Sequence, residues 1–118
     1  MESKLIVSPN DTKRWYNEDG QLHRERGPAV IWPDGAEEWW LNGQLHRDVG
    51  PAVILLGGEE WWYRNDKLHR EDGPAVIWAD SAVEWFLNGK DLSFKEWADK
   101  LNIDQKARLE MVMRWNPD

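Results

Sequence analysis

The stretch Trp39-Trp40-Leu41-Asn42-Gly43-Gln44-Leu45-His46-Arg47-Asp48-Val49-Gly50-Pro51-Ala52-Val53-Ile54 decides the fold, because nearly the same words stand before it and after it. Aligned on their histidines, the copies place His23, His46 and His69 23 residues apart, each followed by an arginine: Arg24, Arg47 and Arg70. Four residues beyond each histidine comes Gly-Pro-Ala-Val-Ile, and sixteen residues beyond it comes Trp39, Trp62 or Trp85, with Tyr16 in the same column one period earlier. A fixed period without insertions marks a repeat array, in which each unit buries its apolar surface against its neighbours.

Within a unit, the β-branched Ala-Val-Ile run is bounded by the turn formers Pro33-Asp34-Gly35, Gly57-Gly58 or Ala79-Asp80-Ser81, which predicts a strand and a hairpin. The returning strand covers residues 37–41, 59–64 or 83–87 and stops at Asn42-Gly43, Asn65-Asp66 or Asn88-Gly89, where a tight turn needs positive φ. The proline of each connecting His-Arg-x-x-Gly-Pro segment lacks a ladder donor and belongs at a strand start. The expected fold is mainly β: a single antiparallel meander of tandem hairpins, seven or so strands wide.

The 118 residues make one domain, divided into an N-terminal cap (1–13), three and a half repeats (14–91) and a C-terminal helical cap (92–118). The cap before the array is a strand over Lys4 to Val7 and a Ser8-Pro9-Asn10-Asp11 turn. After Asn88-Gly89-Lys90 the repeat fails, and Ser93 with Glu96 forms a capping box that starts a helix from Phe94 to about Leu101. A second helix is expected from Asp104 to about Trp115, ended by Asn116-Pro117. Its apolar residues spread so widely that burial, or use of more than one side, is expected.

Ten tryptophans, each able to bury roughly 150–250 Å², supply the core of a thin fold. Cysteine is absent, which excludes disulfides, Cys-based zinc sites and thiol nucleophiles. The net charge is −7, and residues 14–91 carry all of it, with 15 acidic against 8 basic side chains. Such a surface disfavours direct binding of a phosphate backbone. The run before Ser8 is too short for a signal sequence and no long apolar segment follows, so a soluble cytoplasmic protein is expected, with no membrane partner.

Alternate strand residues face opposite sides. The column of Tyr16, Trp39, Trp62 and Trp85 reads as the core face. The opposite parity carries Trp15, Trp40, Trp61, Tyr63 and Phe86 with Glu38 and Glu84, and a one-sided sheet should leave that face polar. These seven residues are the candidate partner-binding set, since Trp and Tyr dominate interface hot spots. The histidines are expected to bond turn backbone rather than share a metal: equivalent strands lie roughly 9.5 Å apart, against a Zn–N distance of about 2.1 Å. Arg24, Arg47 and Arg70, beside Glu25, Asp48 and Glu71, read as repeated surface ion pairs.

The Asn-Gly-x-Leu-His turn, the following Gly, the Asp-Gly hairpin and the 23-residue spacing resemble the membrane occupation and recognition nexus (MORN) repeat over residues 14–90. The chain departs from that pattern in having Arg after His and the next Gly one place later, followed by Pro-Ala. In this His-Arg-x-x-Gly-Pro-Ala form it is similar to repeat proteins of tailed bacteriophages and large DNA viruses, which often end in a Leu-Ser-x-x-Glu helix. The resemblance implies a hairpin array that serves in protein association rather than chemistry. No Ser/His/Asp order or phosphate loop is present, so no enzyme, cofactor or metal is expected. The expected function is a non-enzymatic interaction module, a viral accessory protein that binds and inhibits a host defence protein or nuclease in the host cytosol. The alternatives are a nucleotide-stacking module, which needs Arg47 and Arg70 beside the tryptophans, and a homodimeric or homo-oligomeric scaffold.

Overall fold

The computed structural model describes residues 3–117; Met1, Glu2 and Asp118, at the two ends of the expected caps, lie outside the described residues. Thirteen strands are followed by two helices. In chain order they are β1 (Lys4–Val7), β2 (Lys13–Tyr16), β3 (Val30–Ile31), β4 (Glu37–Glu38), β5 (Trp40–Leu41), β6 (Gln44–Leu45) and β7 (Val53–Ile54). Then come β8 (Glu60–Trp61), β9 (Tyr63–Arg64), β10 (Lys67–Leu68), β11 (Val76–Ile77), β12 (Val83–Leu87), β13 (Lys90–Leu92), α1 (Phe94–Lys100) and α2 (Gln105–Trp115). Nine strands form one antiparallel sheet in the order β1-β2-β3-β4-β7-β8-β11-β12-β13, while β5 with β6 and β9 with β10 form two-stranded ribbons. The molecule is mainly β and a meander, as the turn spacing implies.

The ribbons arise because each long returning strand changes partner at its tryptophan. Trp39 N–H donates to Ala52 O at 2.6 Å while Trp39 O accepts from His46 N–H at 3.0 Å, and Trp62 does the same between Ala75 and His69. Trp15 makes the equivalent bonds to Ala29 and His23. Trp15, not Tyr16, therefore heads the tryptophan column. The cause is turn length: Tyr16 bridges Leu22, six residues on, whereas Trp40 pairs with Leu45, five residues on. The Glu18-Asp19-Gly20 turn holds one residue more than Asn42-Gly43 and moves the first strand one place out of the 23-residue register.

The other turns take the conformations their residues favour. Asn42, Asn65 and Asn88 all have φ 49°, followed by Gly43, Asp66 or Gly89 at 70° to 82°, the paired left-handed residues of a tight hairpin. Ser93 opens α1 through the expected capping box: Glu96 N–H donates to Ser93 Oγ, and Ser93 N–H to Glu96 Oε1. Asp104 caps α2, and Asn116 ends it in the left-handed region.

A repeat array needs a closed end, and here the helices supply it. Leu92 stands where a fourth histidine is due and Ser93 where a fourth arginine is due. Trp85 is covered instead by rings from the helices, with centroids at 4.6 Å to Trp97, 4.8 Å to Phe94 and 5.9 Å to Trp115. Trp85, Leu92, Trp97 and Ala98 form the fully buried cluster. The rest of the core is thin: Ala29, Ala52 and Ala75 are buried on one side of the sheet and Val30, Val53 and Val76 on the other. Extents of 49 × 27 × 19 Å and a radius of gyration of 16.1 Å, against about 13–14 Å for a compact chain of this length, describe a one-layer slab. Of the two alternatives expected for α2, burial does not hold: none of its described residues is buried, and Leu109 and Met113 face outward while Met111 and Trp115 pack against the cluster.

Candidate interaction surface

The tryptophan column and the arginines build one face together. Arg24 Cζ lies 3.9 Å from the Trp15 ring centroid, and Arg47 and Arg70 each lie 3.7 Å above Trp39 and Trp62. Each guanidinium also donates to the proline carbonyl four residues on, Pro28, Pro51 or Pro74, at 3.0 to 3.2 Å. The intervening glycine lets the side chain cross the loop: a Cβ at Gly27, Gly50 or Gly73 would stand 2.8 to 2.9 Å from the arginine Cζ. This explains His-Arg-x-x-Gly-Pro. Burial lowers the pKa of Arg47 despite the charge of Glu37.

The acidic residues expected beside these arginines serve the histidines. Asp48 and Glu71 lie 2.7 Å from Nε2 of His46 and His69, and Glu25 lies 3.6 Å from that of His23. Nδ1 of each histidine accepts from the backbone N–H of Asn42, Asn65 or Asn88 in the next turn, at 2.9 to 3.0 Å. The partners thus set the tautomer: Nδ1 accepts and Nε2 carries the proton toward the acid. The structural role expected of the histidines is the one they have, while Arg70 pairs with Asp72 at 2.8 Å rather than with the expected Glu71. Among the described residues no group of His, Asp and Glu side chains is arranged to hold a metal ion.

The opposite face carries the candidate partner-binding residues. Arg14, Val30, Glu38, Val53, Trp61, Val76 and Glu84 are successive Cα partners across the sheet and so share one side. Trp40 is tied to that side because its Nε1–H donates to Glu38 Oε1 at 2.9 Å, and Phe86 follows Glu84 two places on in β12. Tyr63 stands at the position of Trp40 and Phe86 in the middle repeat; burial raises its pKa, and Asp66 adds to the shift. The structure therefore brings together Glu38, Trp40, Trp61, Tyr63, Phe86 and Glu84. Trp15 is the exception: it lies on the other side under Arg24, displaced by the longer first turn, and Tyr16 takes its place.

Two residues not singled out in the sequence extend this face. Trp32 Nε1–H donates to Glu38 Oε2 at 2.8 Å, and Trp78 Nε1–H donates to Glu84 Oε2 at 2.6 Å. In the middle repeat Trp61 replaces the glutamate and meets Trp78 edge-on, centroids 6.0 Å apart. Trp32 and Trp78 are 46 residues apart, two periods, and share the parity of Val30 and Val76, a signal that was present in the alignment. Trp78 is 40% exposed, and all six grouped candidates are half-buried. The helices pack at Trp85, on the tryptophan–arginine side, so no second layer of the described chain covers this aromatic face. The guanidiniums of Arg47 and Arg70, which nucleotide stacking requires beside Trp40 and Trp61, lie over Trp39 and Trp62 instead.

No family model, curated protein or solved structure matches the chain. Among the described residues no helix is long and apolar enough to cross a membrane.

Proposed function

We propose that this chain is a non-enzymatic protein-interaction module of the MORN-like kind, a viral accessory protein that acts in the host cytosol by binding, and inhibiting, a host defence protein or nuclease. The observation that carries the reading is the uncovered face that Trp32, Trp40, Trp61, Trp78, Tyr63 and Phe86 share with Glu38 and Glu84, whose carboxylates accept from the indole N–H groups of Trp32, Trp40 and Trp78. Indoles fixed in this way present rigid apolar area at little entropic cost, the property of an interface hot spot. The histidines support a role without chemistry, because Nδ1 of each is already engaged by backbone and Nε2 faces a carboxylate. The net charge of −7 favours a partner with a basic surface.

The test is affinity capture from a bacterial lysate with the tagged protein, with its solution mass measured by light scattering. The reading expects one stoichiometric captured protein that is lost on Trp40→Ala while the fold, followed by circular dichroism, is kept. Capture that survives Trp40→Ala and Tyr63→Ala together contradicts the assignment of this face.

A further inference from the structure

The two ends of the sheet are unequal. At one end β13, α1 and α2 close the array, whereas at the other β1 pairs with β2 alone among the described residues. Every residue of β1 is exposed, with Leu5, Ile6 and Val7 at 45%, 48% and 51%. Sheet edges are ordinarily protected by shortness, charges, prolines or bulges; β1 is short and begins with Lys4, but its Leu5-Ile6-Val7 run carries no charge or proline.

The free hydrogen-bonding groups of this edge follow from the ladder. Trp15 turns its N–H toward Ala29 in β3, so its neighbours Arg14 and Tyr16 turn theirs toward β1, where they face Ile6 and Lys4. Alternation then leaves Leu5 and Val7 with N–H and C=O directed outward. Side chains alternate as well: Leu5, partner of Trp15, lies on the tryptophan–arginine side, and Ile6, partner of Arg14, on the aromatic side.

We propose that β1 pairs antiparallel with β1 of a second copy of this chain, about a two-fold axis through Ile6 perpendicular to the sheet. That register sets Leu5 opposite the second copy's Val7, Val7 opposite its Leu5, and Ile6 opposite its Ile6. Leu5 and Val7 exchange all their outward N–H and C=O groups in four hydrogen bonds. Each apolar side chain meets an apolar one on its own side of the sheet, as cross-strand pairs require. A shift to a two-fold through Leu5 sets Lys4 against Ile6 and Ser3 against Val7 and loses this match. The joined sheets run continuously from one pair of C-terminal helices to the other, with β1 of each copy covered by β1 of the second. An isologous contact of this kind closes at two copies. Two four-residue strands make a small contact, of the weak and reversible class, so the dimer forms only as concentration rises.

The absence of native cysteine makes the register testable in the full chain. Ile6 on the two-fold is a non-hydrogen-bonded pair with Cα atoms about 4.5 Å apart, within disulfide reach. Mild oxidation of Ile6→Cys therefore yields a disulfide-linked dimer, while Lys4→Cys under the same conditions does not. In sedimentation, wild type moves from monomer to dimer as concentration rises. Ile6→Lys and Ile6→Glu each remain monomeric because like charges then meet on the axis, and an equimolar mixture of the two recovers the dimer. That recovery separates the contact from misfolding. A wild type that stays monomeric up to about 1 mM overturns the proposal. So does a dimer that persists in Ile6→Lys, which assigns self-association to another surface.

Discussion

Replacing Gly27 by alanine tests the explanation of the repeated Gly most sharply. The new Cβ stands 2.9 Å from Arg24 Cζ and 3.1 Å from Nε and Nη1, closer than such atoms tolerate. A flexible side chain ordinarily swings aside at little cost, but this one is held by the Trp15 ring at 3.9 Å and by the Pro28 carbonyl at 3.2 Å. Loss of a partly buried cation–π contact and of one charge-assisted hydrogen bond costs about 2–3 kcal/mol. Alanine returns about 0.4–1 kcal/mol by restricting the unfolded chain, since Gly27 is not among the positive-φ residues. The expected net loss is about 1–2 kcal/mol, a measurable share of the 5–15 kcal/mol typical of a domain. With Arg24→Ala already present, the three nearest atoms to the new Cβ are gone, and Gly27→Ala becomes neutral or mildly stabilising. Urea unfolding of the four proteins of this double-mutant cycle, followed by far-ultraviolet circular dichroism, reads the coupling directly. Equal costs of Gly27→Ala in both backgrounds refute the account of the motif.

Three further outcomes follow from the same contacts. Ser81 has φ 73° where the equivalent hairpin positions are Gly35 and Gly58, so Ser81→Gly should raise stability by about 1 kcal/mol, read as a higher unfolding midpoint. His69→Phe leaves Asn88 N–H without its acceptor and Glu71 with Arg64 as its remaining donor, and should lower stability by about 1–3 kcal/mol in thermal unfolding. The carboxyl of Glu71 is held below the usual range first by the His69 hydrogen bond, that of Glu96 by the Ser93 backbone N–H, and that of Asp99 by Lys95 and then Arg108. Carboxyls depressed by folding contribute stability that is present above their unfolded pKa, about 4, and lost as pH falls below it. The unfolding midpoint should therefore drop on acidification through that range, and Glu96→Gln should reduce the drop; a midpoint that rises there is inconsistent with these pairs.

The turns and the helix start were legible because single residues dictate them. Asn42, Asn65 and Asn88 tolerate left-handed backbone, and Ser93 with Glu96 satisfies two orphan N–H groups at once. The strand alternation likewise placed Glu38, Trp40, Trp61 and Glu84 on one side. Trp15 went astray because alignment on the histidines hides one extra residue in the first turn, and one residue reverses a strand's faces. The arginines were misread because charge suggests a neighbouring acid, whereas Arg24, Arg47 and Arg70 find the flat faces of tryptophans eight or nine residues earlier, across the same hairpin. Asp48 and Glu71, two residues after a histidine, reach its Nε2 instead. The spread of apolar residues along α2 left burial and use of more than one side both open; Met111 and Trp115 hold it on the cluster, and Leu109 and Met113 remain outside.

The central claim is that the tryptophan–arginine side carries more of the fold's stability than the aromatics that lie over Val30, Val53 and Val76 on the other side, whose outer surface is left for a partner. Comparing the urea unfolding of Trp62→Ala with that of Trp40→Ala tests it most directly. Trp62→Ala removes the stack under Arg70 and should cost about 3–5 kcal/mol, as large aromatic truncations in a packed site do. Trp40→Ala, on the uncovered face, should cost less than half as much while keeping the native circular dichroism. Equal losses, or a Trp40→Ala protein that does not fold, would show that the aromatic face is itself part of the core.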